Sequence, residues 1–67
     1  MELFNRLSRR IFAYRSRHNI SQSKMAELLR VYTNMIWRLE SGKRIHMRTA
    51  YHLMSKLDEL ERSEGNV

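Results

Sequence analysis

The sequence contains no cysteine, no proline and only two glycines, and its apolar runs are short. The lack of cysteine excludes a disulfide framework and a thiolate metal site, as is typical of proteins in a reducing cytoplasm. Because the apolar runs extend over only a few residues, as at residues 11–13, a transmembrane helix and a secretory signal segment are excluded. We therefore expect a cytoplasmic protein without a membrane partner, folded as a single domain over residues 1–67.

The scarcity of helix breakers and of alternating β-branched residues predicts an all-α fold. Four helices are expected, over about residues 2–18, 22–29, 33–41 and 47–62. Ser21 is placed to cap the second helix, with Ile20 and Met25 as a hydrophobic staple across its first turn. Gly42 stands where a left-handed residue commonly ends a helix. The polar residues 63–67 are expected to fray.

The spacing of apolar residues predicts which helix faces form the core. The apolar arc of the first helix contains Phe4, Leu7, Ile11, Tyr14 and His18. One strip of the fourth helix, expected in the core, contains Ala50, Leu53, Leu57 and Leu60. A second strip contains Met47, Tyr51 and Met54. This second strip, together with Phe12, is a candidate dimer surface, because a monomer of this size rarely exposes so much apolar surface.

The third helix contains the only tryptophan of the chain, and its position is unusual. The apolar arc of this helix contains Met35, Ile36 and Leu39. The opposite arc contains Thr33, Asn34, Trp37, Arg38 and Ser41. Trp37 therefore points away from the apolar stripe of its own helix. It either packs on another helix or a second copy, or it is exposed to meet a ligand.

Basic residues are concentrated in the first two thirds of the chain. Thirteen Lys and Arg against seven Asp and Glu give a net charge of +6, and ten of the thirteen are arginine. Residues 1–48 hold eleven basic and three acidic residues, whereas residues 49–67 hold two and four. Arginine makes bidentate contacts with phosphate and guanine, so this distribution favours a nucleic-acid ligand. Arg6, Arg10 and Arg17 are either further phosphate contacts or a solvated face.

The pattern supports neither catalysis nor metal binding. His46 and His52 are six residues apart and diverge on a helix, and no carboxylate stands three or four residues after either one. The serines have no evident base partner, and no glycine-rich phosphate loop is present. We therefore expect no enzyme activity, no metal and no cofactor.

The stretch ISQSKMAELLRVYTNMIWRLESGKR, residues 20–44, resembles the helix-turn-helix of the lambda repressor and Cro superfamily, also called the Xre family. The matching positions are Gln22, Met25, Ala26, Leu29, Val31, Ile36, Leu39, Glu40, Gly42, Lys43 and Arg44. A weaker match continues through RIHMRTAYHLMSKL, with Ile45, Ala50, Leu53 and Leu57 at inward positions. The resemblance covers about residues 7–57. It implies a compact all-α domain of four or five helices, with the helix-turn-helix at about residues 21–41.

The resemblance also implies roles for individual residues. The family positions that read base edges in the major groove are occupied by Thr33, Asn34, Trp37 and Arg38. Hydrogen-bonding geometry favours Arg38 with guanine and Asn34 with adenine. The positions that resemble phosphate contacts are occupied by Gln22, Tyr32, Lys43 and Arg44. Arg15 and Glu40 match positions that face each other, and a partly buried ion pair is expected there.

The sequence departs from the family pattern at three places. Arg30 stands where the family commonly has glycine, and a left-handed conformation there costs about 1–2 kcal/mol. Tyr32 occupies the place of a Ser or Thr cap, so Thr33 is an alternative cap for the third helix. The fourth helix also runs on where family members often begin a fifth, which leaves the dimer mode open.

The implied function is that of a sequence-specific DNA-binding transcriptional regulator. We expect a Cro-like repressor of a bacteriophage or another mobile element, acting as a homodimer on a palindromic operator in the bacterial cytoplasm, without a small-molecule effector. An antitoxin that neutralises a toxin through protein contact is the alternative, because antitoxins use the same fold. RNA binding is disfavoured, since an α-helix cannot read the narrow major groove of A-form RNA.

Overall fold

The computed structural model describes residues 2–65, which form four helices and, within that range, no strand. The helices are α1, Glu2–His18; α2, Gln22–Leu29; α3, Thr33–Glu40; and α4, Met47–Gly65. The all-α prediction is confirmed, and the bounds of the first three helices lie within one residue of those expected. α4 continues three residues beyond the predicted end at Arg62, so residues 63–65 are helical. Asn66 and Val67 of the predicted frayed end lie outside the described residues.

All four helices contribute to a single apolar core. The buried side chains are Phe4, Leu7, Ile11, Tyr14, Met25, Ala26, Leu29, Ile36, Leu39, Ala50, Leu53 and Leu57. These are the arcs predicted from the helical period, with three differences. Met35 on α3 is only partly buried and does not belong to the core. Leu60 is only partly buried against the core. His18 is exposed at the end of α1, where its ring centroid lies 4.2 Å from that of Tyr14.

The first three helices end in the same backbone motif. A left-handed residue stands one position after α1 and α2 and two positions after α3: Asn19 with φ 53°, Arg30 with φ 60° and Gly42 with φ 79°. The next N–H then bonds a carbonyl five residues back, from Ile20 to Arg15, from Val31 to Ala26 and from Lys43 to Arg38. This Schellman motif satisfies helix-end carbonyls and reverses the chain. The left-handed conformation expected at Arg30 is therefore present, in a residue that carries a side chain.

The helix starts differ from one another. Ser21 caps α2 as predicted, because its Oγ accepts a hydrogen bond from the Lys24 N–H at 3.0 Å. Tyr32 occupies the N-cap position of α3 without a side-chain hydrogen bond, and Thr33 is already helical. The alternative in which Thr33 caps α3 is therefore not adopted. At α4 the cap is a histidine, since the backbone N–H of Arg48 donates to Nδ1 of His46 at 3.1 Å.

Candidate nucleic-acid interface

One face of α3 projects away from the core. Ile36 and Leu39 are buried. The helical period places residues 33, 34 and 37 on the side of the helix that faces away from the core. Thr33, Asn34 and Trp37, three of the four predicted base readers, are exposed. A hydroxyl, an amide and an indole thus share one accessible helical face.

Trp37 lies on this exposed face rather than in the core. Its side chain is 48% exposed. The Nζ atom of Lys43 lies 5.7 Å from the centroid of the indole ring, within the range of a cation–π contact. Because Lys43 follows α3 in the chain, this contact connects the face of α3 to the segment that leaves it.

Residues 41–46 connect α3 to α4 and carry two predicted phosphate contacts, Lys43 and Arg44. Gly42 makes the turn with φ 79°, a conformation that glycine adopts readily. Lys43 and Arg44 are both exposed. Neither belongs to any of the ion pairs formed among residues 2–65. We call residues 41–46 the cationic loop, because its two positive charges face solvent without a carboxylate.

Arg38, the fourth predicted base reader, contacts the cationic loop. Its Nη2 donates a hydrogen bond to the backbone carbonyl of Arg44 at 2.8 Å. Its own backbone carbonyl accepts from the N–H of Lys43, also at 2.8 Å. The side chain is half-buried, unlike those of the other three predicted base readers. Sequence reasoning did not predict the side-chain contact with Arg44, because a main-chain acceptor in a loop leaves no trace in residue spacing.

The other two predicted phosphate contacts, Tyr32 and Gln22, have different surroundings. Tyr32, at the N-cap position of α3, is 82% exposed. Gln22 begins α2 and is half-buried, and its Nε2 donates to Oε1 of Glu40 at 2.9 Å. The amide of Gln22 is therefore oriented by a carboxylate at the end of α3.

Arg15 and Glu40 form the ion pair that the family pattern implies. Nη1 of Arg15 donates to both carboxylate oxygens, at 2.8 and 3.0 Å. The two side chains are only 17% and 12% exposed, so little water reaches the pair. With the bond from Gln22, the carboxylate of Glu40 joins α1, α2 and α3 at one point.

Arg10 and Arg17, considered as further phosphate contacts, are occupied by the acidic end of α4. Nη2 of Arg10 lies 2.7 Å from carboxylate oxygens of both Asp58 and Glu61. Nη2 of Arg17 lies 3.2 Å from Glu64. The hypothesis that these arginines face phosphate is therefore replaced by ion pairing within the chain. Arg6, the third candidate, is exposed.

Hydrogen bonding in this cluster shifts the ionisation of its members. Hydrogen bonds that the guanidinium groups donate to carboxylates raise the pKa of Arg10 and of Arg17 above the usual arginine value. The hydrogen bond from Arg17 lowers the pKa of Glu64, and a contact with Nε2 of His18 at 3.0 Å adds to this effect. These pKa shifts favour the charged forms of all three side chains. The cluster lies where the extended end of α4 contacts α1.

The predicted dimer strip is not a continuous free surface. Met47 and Met54 are partly buried against the core, and only Tyr51 is strongly exposed, at 60%. The apolar arc of α4 is broad, so packing against the core uses parts of both strips. Phe12 on α1 is 57% exposed, with the guanidinium carbon of Arg15 5.8 Å from its ring centroid.

His52 on α4 contacts the end of α2, and the sequence did not predict this contact. Its Nε2 lies 3.0 Å from the carbonyl oxygen of Leu29, at the end of α2. As an N–H donor, the ring forms a hydrogen bond with a carbonyl at the end of α2, where the helix has no N–H of its own to donate. The contact ties α4 to the turn between α2 and α3.

Within residues 2–65, no three His, Asp or Glu side chains are grouped closely enough to hold a metal ion. None of the helices in that range has the length and apolarity needed to cross a membrane.

No protein-family model, curated protein or solved structure matches the chain. Function is therefore inferred from the geometry and charge of the site.

Proposed function

We propose that this chain is a sequence-specific DNA-binding transcriptional regulator, in which residues 21–41 act as a helix-turn-helix of the lambda repressor type. One observation carries the proposal: the exposed polar face of α3 adjoins the unpaired charges of the cationic loop. An α-helix fits the major groove of B-DNA, and cations beside it neutralise the phosphates that border the groove. α3 is therefore assigned as the recognition helix.

Each exposed side chain of α3 has a base partner that suits its chemistry. The amide of Asn34 forms two hydrogen bonds with the N6 and N7 edge of adenine. The hydroxyl of Thr33 bonds a base edge, and its methyl group packs on the methyl of thymine. Trp37 places the apolar edge of its indole against thymine methyls, while its N–H donates to a base or phosphate acceptor.

Phosphate contacts fix the position of α3 in the groove without reading sequence. Lys43 and Arg44 supply the charged contacts, and the exposed hydroxyl of Tyr32 supplies a neutral donor. Gln22, oriented by Glu40, stands at the start of α2, where free backbone N–H groups also attract a phosphate.

The regulator is proposed to act as a homodimeric repressor that occupies a palindromic operator. A single recognition helix reads too few base pairs to define a unique site, whereas two helices one DNA turn apart, about 34–36 Å, read two half-sites. The protein measures 34 × 20 × 18 Å, so one copy on each half-site can be accommodated at that spacing. Exposed Tyr51 is the favoured dimer contact on α4.

The decisive experiment selects bound duplexes from a random pool and then measures affinity for the selected site across salt concentrations. We expect an enriched palindrome, a steep fall in affinity with salt, and much tighter binding to the selected site than to unrelated duplex. Sedimentation of the complex should show two copies per palindrome. A pool without enrichment, or an affinity that is flat between low and moderate salt, contradicts the proposal.

Two variants separate base reading from phosphate contact. Asn34→Ala should relax the preference at one base pair and cost roughly 1–3 kcal/mol on the selected site. Lys43→Ala should weaken binding to all duplexes by a similar factor, because phosphates are the same in every sequence. Uniform loss in both variants would contradict the assignment of Asn34.

A further inference from the structure

Arg38 contacts the cationic loop through both its main chain and its side chain. Its carbonyl accepts from the Lys43 N–H, and its Nη2 donates to the Arg44 carbonyl, each at 2.8 Å. Lys43 and Arg44 are consecutive, so one residue of α3 contacts both charged positions of the cationic loop. The side chain spans six positions of the chain to reach an acceptor that belongs to no helix.

The side-chain contact restrains Arg44, which the backbone hydrogen bonds of the Schellman motif do not reach. The Schellman bonds fix the chain as far as Lys43, since Gly42 donates to Leu39 and Lys43 to Arg38. Arg44 comes after this motif and before α4, which begins at Met47. Its carbonyl is held by the Arg38 guanidinium. A planar guanidinium presents its donors in a fixed fork, so it sets direction as well as distance.

We propose that Arg38 is a positioning residue, which sets the cationic loop relative to the face of α3, rather than a base reader. The inference rests on the proposed DNA-binding function and changes the role of one residue in it. Thr33, Asn34 and Trp37 then read the bases. Arg38 ensures that Lys43 and Arg44 meet the phosphates when those three side chains meet the base edges.

This geometry also explains why Arg38 is less exposed than its neighbours on the same helix face. Thr33, Asn34 and Trp37 are exposed, whereas Arg38 is half-buried with its guanidinium turned toward the loop. The indole of Trp37 receives the ammonium of Lys43 at 5.7 Å. The face of α3 and the cationic loop are thus linked by two consecutive residues.

The test measures amide hydrogen exchange in the free protein and base preference in the complex. Arg38→Met keeps much of the apolar stem and removes the donor, so the hydrogen-bonded amide of Lys43 should exchange roughly 3- to 10-fold faster, as expected for one lost hydrogen bond. Affinity should fall by a common factor for all duplexes, with the preference at every base pair unchanged. Arg38→Lys, which retains a donor and the charge, should restore most of both properties.

Arg44→Met is the matched control, because it removes a positive side chain from the loop but leaves the Arg44 carbonyl in place. Its affinity for DNA should fall, whereas loop exchange should stay as in the parent. If Arg38→Met leaves loop exchange unchanged and relaxes the preference at one base pair, Arg38 is a base reader and the inference is overturned. If the parent binds no duplex, the proposed function fails, and the exchange rates still decide whether Arg38 positions the loop.

Discussion

Two groups of cationic side chains in this molecule have opposite surroundings. Where α1 meets the end of α4, Arg10 and Arg17 are held by carboxylates at 2.7 and 3.2 Å. In the cationic loop, Lys43 and Arg44 are exposed and belong to no ion pair among residues 2–65. The first group stabilises contacts within the chain, and the second is available to a ligand.

The difference shows why charge counted along a sequence misrepresents charge on a surface. Residues 1–48 contain eleven basic residues and residues 49–67 contain four acidic ones, yet the acidic segment folds back onto the first helix. This pairing reduces the positive field on the α1 side and leaves it undiminished at the cationic loop. A polyanion is therefore attracted more strongly to the cationic loop than to the paired Arg10 and Arg17.

Removing one partner of the least exposed ion pair, Arg15–Glu40, should have the largest effect on the free energy of unfolding. Glu40→Gln removes the partner of Arg15, and both side chains are under one fifth exposed. We expect the free energy of unfolding to fall by about 2–3 kcal/mol, less than for a fully buried pair because glutamine keeps one acceptor. Urea denaturation measures the change.

The control for Glu40→Gln is the same substitution at an exposed glutamate. Glu27 is 74% exposed and reaches Lys24 only at 4.0 Å. Glu27→Gln should alter the unfolding free energy by less than about 0.5 kcal/mol. Equal losses in the two variants would mean that the Arg15–Glu40 pair is fully screened by water.

The comparison is sharpened by removing one charge from each group and measuring DNA binding. Lys43→Ala should reduce the slope of log affinity against log salt by about 1, because one phosphate contact is lost. Arg17→Ala should leave the slope nearly unchanged, since its charge is already matched by Glu64. Equal changes in slope would place α1 at the DNA as well.

The turns after α2 and α3 offer a smaller test, because they share a backbone motif but not a residue type. Arg30→Gly should raise the unfolding free energy by about 0.5–1 kcal/mol, as relief from the left-handed conformation exceeds the added entropy of the unfolded chain. Gly42→Ala should lower it by about 1 kcal/mol. An added Cβ there meets no atom within 4 Å, so only backbone strain is involved. Thermal melts with shifts of the same sign would contradict this explanation.

The smallest effect is expected at Glu64, which lies at the solvent-exposed end of the paired group. Its pKa in the folded protein is lowered below the ordinary 4.5, so its stabilisation is present above that value and is lost as pH falls through the lowered pKa. Glu64→Gln should therefore melt slightly below the parent at neutral pH and converge with it in acid. A difference that is constant from pH 7 to pH 3 would exclude this linkage.

Periodicity predicted the helices and the core because burial recurs every three to four residues. Ile36, Leu39 and Leu53 are buried where the apolar arcs place them. The turns were also predictable from the sequence, since serine is preferred at the start of a helix and glycine just after its end, as at Ser21 and Gly42. Local chemistry and burial are thus readable from a single sequence.

Contacts between distant polar residues were not predictable in the same way. Near the end of α4, Glu64 pairs with Arg17 across 47 positions of the chain, and no spacing rule predicts such a pairing. The bonds of Arg38 with Arg44 and of His52 with Leu29 end on backbone carbonyls, which every residue possesses. The Arg15–Glu40 pair was an exception because the family resemblance supplied its geometry.

The half-exposed indole of Trp37 provides a fluorescence signal from the proposed recognition surface. It is the only tryptophan in the chain, and a loop cation lies 5.7 Å from its ring. Fluorescence excited at the indole band therefore reports on the junction of α3 and the cationic loop alone. The free protein should emit at the long wavelengths of a solvated indole, and duplex DNA should quench or shift that emission as Lys43 turns from the ring to a phosphate. If the free protein emits at short wavelength and saturating operator DNA does not change the emission, Trp37 does not contact the DNA. Thr33 and Asn34 would then be the residues of this face that contact the bases.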